Sequence, residues 1–515
     1  MGLMRALLEA ALVATAVSAT IFTWFQPVSG GWSDVVFGLA KALPLSVCCV
    51  VSFYYNDLYD LRVVPRFWDF ASRLPQAVGV ALMLLAAWHV FLPGAMKIPY
   101  GALALCIVSI LVVLVPIRAA SYRLLHRGPF RERVLLLGRG PMAAKILREI
   151  AARPYVGWEI VGVADDPNGP ATKAASAYPL LGPLEHIAKI IEETHPDRII
   201  LALSERRARL PVRQLLDARM NGSIVEDGVD AFERLTGKIA IESMTPSNLI
   251  FSKDFRKSRL DLAIGRGTSL VAAAIGIVVT SPVFCLIALA IKFESPNSPL
   301  FFVQDRLGRR SRRFRLWKFR TMRVVTTHTT SEWVTDNSDR ITPIGRVLRR
   351  FRLDELPQFW NVIRGDMKLV GPRPHPVSNE ELFGEEIPYY SLRAAVRPGI
   401  TGWAQIRLGY ANNLAEETEK MRYDLYYIKH LSFWLDLRIL FDTVKIVLFG
   451  RGAQSTHGDS AGPTDPEAPG TPPGFSGSDV PRTPSGPTAP APAKDVNCLP
   501  TGDRSNESAP RRRSA

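Results

Sequence analysis

At 515 residues, 47% of them hydrophobic, the chain has room for two or three domains and a sizeable core. The formal net charge of +15 points to an anionic partner (nucleic acid, anionic lipid or phosphorylated substrate) without choosing among them. Cys48, Cys49, Cys106 and Cys285 lie in apolar runs and Cys498 in a polar tail, a spacing that excludes a metal-binding cysteine cluster and a disulfide framework.

Four apolar stretches fill the first 120 residues, at roughly 6–25, 35–54, 76–93 and 100–120. Each nears the ~20 residues that a helix needs to cross a hydrocarbon core about 30 Å thick. The first is long for a signal-peptide core and three more follow it, so it reads as a span. Trp24, Trp32, Tyr54, Tyr55, Trp88 and Tyr100 fall near the expected ends, where aromatic rings favour the interface. The connection after the second stretch carries Arg62, Arg66 and Arg73, and the fourth exits into Arg118, Arg123, Arg127, Arg131 and Arg133. The other two connections carry only Lys97 between them. By the positive-inside rule the N-terminus and everything after residue 120 face the cytoplasm. Residues 1–125 are expected as a four-helix transmembrane bundle.

Residues 131–250 read as an α/β domain. Arg133–Gly138, Glu159–Asp165 and Arg198–Leu203 are strand-like and alternate with helical segments, which argues for a parallel sheet. Gly138-Arg139-Gly140-Pro141-Met142-Ala143 follows the first strand and Asp165 ends the second, as in a dinucleotide-binding turn. Gly138, Gly140 and Asp165 are therefore candidate nucleotide-binding residues. No residue for hydride transfer stands nearby, so the domain reads as Rossmann-like without redox chemistry, regulatory or structural.

A fifth apolar stretch, 268–292, has Ser281-Pro282 at its middle and basic flanks on both sides: Arg256, Lys257, Arg259 and Arg266 before, Lys292 and Arg306 to Arg323 after. Proline removes a backbone donor and crowds the preceding turn. A helix that enters the membrane, turns at Ser281-Pro282 and leaves by the same face keeps both basic flanks in the cytoplasm. Just beyond it, Arg306 to Arg320 are interleaved with Phe314, Trp317 and Phe319, and the expectation is amphipathic helices on anionic head groups.

Arg352-Leu353-Asp354-Glu355-Leu356-Pro357-Gln358 places two acids at the start of a helix, because Pro357 suits a first turn. Such acids are ordinarily helix-dipole partners. Here Arg346, Arg349, Arg350 and Arg352 precede them and Gly371-Pro372-Arg373-Pro374 follows. A carboxylate that attacks a phosphate must overcome repulsion between two anions, which guanidinium groups and a divalent cation can cancel. Oxygen ligands and phosphate suggest Mg²⁺.

Taken in order, seven segments resemble the bacterial sugar transferase family, the monotopic polyprenyl-phosphate phosphoglycosyl transferases. They are Ser281-Pro282, Phe301–Gly308, Lys318–Met322, Leu353–Gln358, Gly365–Pro374, Arg397–Gln405 and Tyr423–Ile428, and they span nearly all of 255–450. The four preceding spans and the Rossmann-like domain resemble the larger exopolysaccharide-type members. The resemblance implies a mainly α, monotopic catalytic domain over 255–450 with a re-entrant membrane helix at 268–292. It also implies transfer of a sugar 1-phosphate from a UDP-sugar to polyprenyl (undecaprenyl) phosphate at the inner membrane. In it Asp354 is the nucleophile, Glu355 is the second catalytic acid, which helps hold Mg²⁺ or positions a proton, both acids are the candidate metal ligands, Lys318, Arg349 and Arg373 are phosphate contacts, and Asp424 and Arg397 are site support. Arg352 departs from the Ser or Thr common there. Membrane lipids are partners, nucleic acid is not, and homo-oligomerisation stays open. The alternative is a membrane-anchored nucleotide-sugar modifying enzyme built on the middle domain, but that domain has no Tyr-x-x-x-Lys pair, and the chain has no Asp-x-Asp. The tail, 452–515, is rich in Pro, Gly and Ser and is expected to be disordered.

Overall fold

The computed structural model describes residues 11–448 except 14, 21–31, 60–63, 65, 92–99, 127–130, 154–155, 168–171, 204–209, 245–254, 256–257, 324–339, 410 and 412. The tail, and with it Trp24, Arg62, Lys97, Arg127, Arg256 and Lys257, lies outside the described residues.

Helices α1 (Ala11–Thr20), α2 (Trp32–Tyr55), α3 (Phe67–Phe91) and α4 (Tyr100–His126) come first. Within them Phe67–Ala87 and Leu103–Arg123 are long and apolar enough to cross a membrane, while Ala11–Thr20 and Leu43–Tyr55 are shorter apolar helices. All four share one core that includes Val17, Leu45, Phe53, Leu74, Leu85, Ile110 and Leu114. Thr20 Oγ1 donates to Ser109 Oγ across 2.8 Å, joining the first and fourth. Leu43, Val47, Met83, Val108 and Val112 stay exposed on the outside, an apolar coat suited to lipid.

The middle region runs β1 (Glu132–Leu137), α5 (Pro141–Ala151), β2 (Trp158–Ala164), α6 (Lys173–Ser176), β3 (Leu180–Gly182), α7 (Ile187–Thr194), β4 (Arg198–Leu201), α8 (Val212–Met220), β5 (Ile224–Asp227) and α9 (Gly228–Thr236). The strands form one parallel sheet in the order β3-β2-β1-β4-β5. Val134, Leu136 and Ile200 face one apolar core, and Leu135, Leu137 and Ile199 the other. A parallel sheet covered on both faces needs this unbroken apolar run. The three expected strands are present. β3 and β5 are short edge strands that the sequence reading did not mark.

The third region begins with α10 (Arg259–Glu294), a single helix of 36 residues and thus ~54 Å long. It is the third helix apolar enough to cross a membrane. The sequence predicts a turn at Ser281-Pro282, and the helix carries Pro282 inside it without an interruption of its helical backbone. Pro282 cannot donate to the carbonyl of Val278, and the Ser281 hydroxyl donates to that oxygen instead, across 2.8 Å. The serine thus supplies the hydrogen bond that the proline withholds.

After α10 come β6 (Phe301–Leu307), β7 (Arg313–Phe319), α11 (Pro343–Arg350), α12 (Gln358–Arg364), β8 (Lys368–Val370), α13 (Val377–Glu386), β9 (Gly399–Thr401), α14 (Trp403–Arg407), α15 (Leu414–His430) and α16 (Phe433–Leu448). The basic stretch expected as amphipathic helices is the antiparallel hairpin β6–β7. Phe314 and Leu316 alternate with exposed Arg313 and Arg315, a period of two that suits a half-buried strand. This region packs along both halves of α10. Arg266 donates to the carbonyls of Val362 (2.8 Å) and Met367 (3.1 Å), and the Phe284 ring lies 4.5 Å from that of Phe319. Ile287 and Ile291 share a core with Phe319 and Leu348, and Glu294 accepts from the Ile344 amide.

Gly371 ends β8 where a Cβ would stand 2.6 Å from the Arg397 carbonyl oxygen and 2.8 Å from the Gly399 nitrogen. Backbone atoms there cannot yield, so Gly371→Ala is expected to destabilise by about 2–4 kcal/mol. A thermal midpoint in detergent unchanged from the wild type would show this contact to be softer than drawn.

Candidate active site

The carboxylate pair sits in a turn fixed from both sides. Thr342 caps α11 through the Gly345 amide, and after Phe351 the backbone of Arg352 takes a left-handed conformation, φ 57°. That turns the chain into one 3₁₀ turn, Leu353–Glu355, directly before Pro357 and α12. A left-handed non-glycine residue costs on the order of 1 kcal/mol, so packing must hold it. Leu353 and Leu356 do so by joining the cluster of Ile287, Ile291, Phe319 and Leu348. Asn361 fastens α12 to β7, donating to the Arg315 carbonyl (2.7 Å) and accepting from the Trp317 amide (3.2 Å).

Both acids are buried, Asp354 at 8% and Glu355 at 5% exposure. Their surroundings differ. Glu355 is gripped by Arg373, whose guanidinium donates to Oε1 at 2.9 Å and Oε2 at 3.4 Å. Arg352 (3.4 Å) and Lys318 (3.9 Å) complete its cage of cations. Burial alone would raise the Glu355 pKa, but Arg373, Lys318 and Arg352 outweigh it and hold the carboxyl well below the usual range. Asp354 makes no hydrogen bond or ion pair among the described residues. Burial and then the Glu355 charge push its pKa up, against Lys318, Arg373 and Arg349. Burial, helped by Arg373, brings the Lys318 ammonium down to about 8 despite both carboxylates.

Behind Arg373 lies a buried network that the sequence did not disclose. Arg393 donates to the Arg373 carbonyl (2.8 Å) and to the Tyr390 hydroxyl (2.7 Å), and pairs with Asp424 at 2.9 Å. His375 shares a hydrogen bond with Tyr390 (2.7 Å) and lies 3.1 Å from Lys420, which pairs with Glu417 at 3.0 Å. Burial together with Arg393 and Lys420 keeps His375 well below its ordinary pKa and hence neutral. Glu417, Lys420 and Asp424 recur on one face of α15, a pattern that in sequence looks like a solvated helix surface.

The structure thus brings Asp354, Glu355, Lys318 and Arg373 together, with Arg349 beside them, its Nε bonded to Thr321 Oγ1 at 3.0 Å. Asp424 stands behind, through Arg393. Arg397 is placed elsewhere, donating to the Gly365 carbonyl (3.1 Å) and lining a cleft at the hairpin tip. In the middle region Gly138 takes φ +109°, and a Cβ there would lie 2.7 Å from the Ala202 carbonyl oxygen, so this glycine serves strand proximity. Gly140 caps α5, whose first residue, Pro141, has no amide hydrogen. Asp165 accepts from the Arg139 amide at 2.8 Å. The amides of Gly138 and Arg139 are thus taken by the Ala164 carbonyl and Asp165.

A model of the bacterial sugar transferase family matches residues 260–450, and a CoA-binding domain model matches 55–218, taking in α3 and α4 as well as most of the sheet. The UDP-glucose:undecaprenyl-phosphate glucose-1-phosphate transferase of Xanthomonas campestris pv. campestris is 31% identical over 433 residues, covering 80% of this chain and 89% of that protein. The chain belongs to the bacterial sugar transferase family. The Escherichia coli K12 transferase of the same name is 32% identical over 354 residues, 68% of this chain and 75% of that one. A UDP-N-acetylgalactosamine-undecaprenyl-phosphate N-acetylgalactosaminephosphotransferase of Aeromonas hydrophila is 41% identical over 222 residues, 43% of this chain. The match spans about half of that protein, 52%.

Removing the Glu355 charge would leave three cations facing one another. Glu355→Gln is expected to cost about 3 kcal/mol at pH 7, as breaking a buried pair does. The loss should shrink above pH 9, where Lys318, titrating near 8, has become neutral. A penalty that grew with pH would contradict the cage.

Proposed function

We propose that this chain transfers a sugar 1-phosphate from a UDP-sugar to undecaprenyl phosphate, releasing UMP, as the membrane step that begins exopolysaccharide synthesis. The observation that carries this reading is the contrast within one buried pair, where Glu355 is locked by cations and Asp354 has no hydrogen-bond or ion-pair partner among the described residues. A carboxylate without a partner, close to Lys318, Arg373 and Arg349, suits attack on a phosphate. Asp354 would attack the phosphorus bonded to the sugar, the bond to UMP would break, and the sugar phosphate would remain as an acyl phosphate. The phosphate oxygen of undecaprenyl phosphate would then attack the same phosphorus and free Asp354. Such covalent catalysis divides one hard displacement into two easier ones.

The residues present fit a magnesium ion. Asp354 offers carboxylate oxygens that no side chain engages among the described residues, and burial, with the Glu355 charge behind it, raises its pKa, so a bound cation would favour its ionised form. No group of three or more His, Cys, Asp and Glu residues that could hold a metal occurs among the described residues, so substrate phosphate and water would supply the remaining ligands. When bound, the ion would neutralise charge on the phosphate oxygens.

The setting is the cytoplasmic face of the bacterial inner membrane, with 1–125 as four spans and α10 dipping into one leaflet. From Arg266 to Ile291 one domain packs against α10 over ~38 Å, more than the ~30 Å of hydrocarbon a crossing helix would have to traverse. That supports a helix entering and leaving by one face. Tyr54 donates to Asp442 Oδ1 at 2.6 Å and Lys445 pairs with Asp57, which supports placing the end of α2 and the connection after it on the same side as the catalytic domain. Both acceptor and donor would thus meet already positioned at the boundary.

Incubation of the full chain with undecaprenyl phosphate and UDP-glucose, UDP-galactose or UDP-N-acetylgalactosamine should release UMP and form a lipid-diphosphate sugar with at least one donor. Asp354→Asn should lower the rate by at least about 10³-fold and abolish any trapped sugar-phosphate adduct. UDP release, or an asparagine variant as active as the wild type, would refute the mechanism. A phosphate contact needs the ammonium form of Lys318, so kcat/KM for the donor should fall as pH rises through about 8. In Lys318→Arg that basic limb should move beyond pH 9, since guanidinium keeps its charge; an unmoved limb would assign it to another group.

A further inference from the structure

The hairpin tip between β6 and β7 forms a cleft of about 340 Å³ lined by Arg309, Arg310, Arg312, Arg313 and, from the β9 side, Arg397. The four tip arginines are exposed and make no side-chain hydrogen bond or ion pair among the described residues. Asp366 is the one carboxylate in the lining. Arg310 and Ser311 both take left-handed backbone, φ 57° and 56°, a strained conformation at the tip itself. So many unneutralised guanidiniums around one hollow create a site for a phosphate-bearing anion.

The reaction's own phosphates do not explain this charge. Lys318 pairs with Phe302 in the hairpin, whereas Arg313 pairs with Leu307, five residues further along. That separates the cleft from the carboxylate pair by ~17 Å of strand. The two phosphates of a sugar nucleotide share a bridging oxygen, so with one at Asp354, on the reading above, the other cannot reach the tip.

The neighbouring surface says which anion fits. The cleft includes Gly365, the residue that ends α12. On α12, Trp360 is 54% and Ile363 37% exposed, beside the exposed Val271, Ile275 and Val278 of α10. A cationic hollow bordering an apolar, membrane-directed surface has the layout of a head-group seat, with phosphate in the hollow and acyl chains along the apolar side. We infer that the hairpin-tip cleft binds the phosphate of an anionic phospholipid head group, separately from the two substrates.

The test uses the purified full-length protein reconstituted in equal phosphatidylglycerol and phosphatidylcholine, transferred to detergent, with retained lipid counted by native mass spectrometry. The wild type should keep phosphatidylglycerol over phosphatidylcholine by at least about tenfold. The R309Q/R310Q/R312Q/R313Q variant should lose one such lipid per chain, the all-lysine variant should retain it, and R213Q/R219Q on the middle domain should match the wild type. Equal retention by the glutamine variant, with an unchanged gel-filtration profile, would overturn the inference. So would displacement of that lipid from the wild type by millimolar UMP, which would make the cleft part of the nucleotide site, or by inorganic phosphate, which would make it a general anion site. Because no sugar nucleotide is turned over, either result leaves the proposed transfer reaction to its own assay.

Discussion

Two carboxylates side by side and shut away from water cannot both be charged unless something cancels their repulsion. Here the cancellation is lopsided. Arg373, Arg352 and Lys318 crowd Glu355, and Asp354 is left unengaged within the same field. The arrangement makes one acid a fixed counter-charge and leaves the other without a cation bound to it among the described residues. Its accuracy depends on Arg373, which is held by its own backbone carbonyl through Arg393 and, behind that, by Asp424, Tyr390 and His375. Members of a buried network of this kind depend on one another, and a single truncation would disturb the grip on Glu355.

The second constraint comes from the bilayer. Inside hydrocarbon an unpaired backbone carbonyl is costly, and proline creates one. In α10 the Ser281 hydroxyl covers the Val278 carbonyl that Pro282 leaves open, so the helix stays whole while its stiffness is reduced at one point. The domain then packs on both halves, through Arg266 on one side and Phe284 on the other. The apolar helix and the polar site thereby become one packed unit.

Much of this was legible in the chain itself, and the misses have physical reasons. Asp354 and Glu355 could be read because Pro357 fixes their place before a helix and arginines flank them. The three apolar β-strands of the middle region could be read because a doubly covered sheet demands continuous apolar residues, whereas the edge strands β3 and β5 need only a few. The hairpin β6–β7 was hidden by its arginines, whose density masked the alternation of Phe314 and Leu316. Glu417 and Lys420 were missed because a helix that turns charges inward toward partners has the same spacing as one that turns them to water. Arg397 lies in a motif of the family, yet sequence proximity could not say that its guanidinium would reach the Gly365 carbonyl and the hairpin tip. That the Ser281 hydroxyl would take up the carbonyl left open by Pro282 was not legible, because the rule for proline is silent about the serine before it.

Helix α15 carries the site network on one face and the seam with the middle region on another. Lys429 and His430 meet Glu233, Lys238 meets Glu419, and the Arg422 carbonyl accepts from the Ile239 amide. Trp403 donates to the Gly237 carbonyl at the same seam. One rigid rod therefore links the parallel sheet to the scaffolding under Arg373. Any tilt of the sheet, whatever prompts it, would reach the buried carboxylate pair as a small rotation, so the middle region could act as a tuning lever.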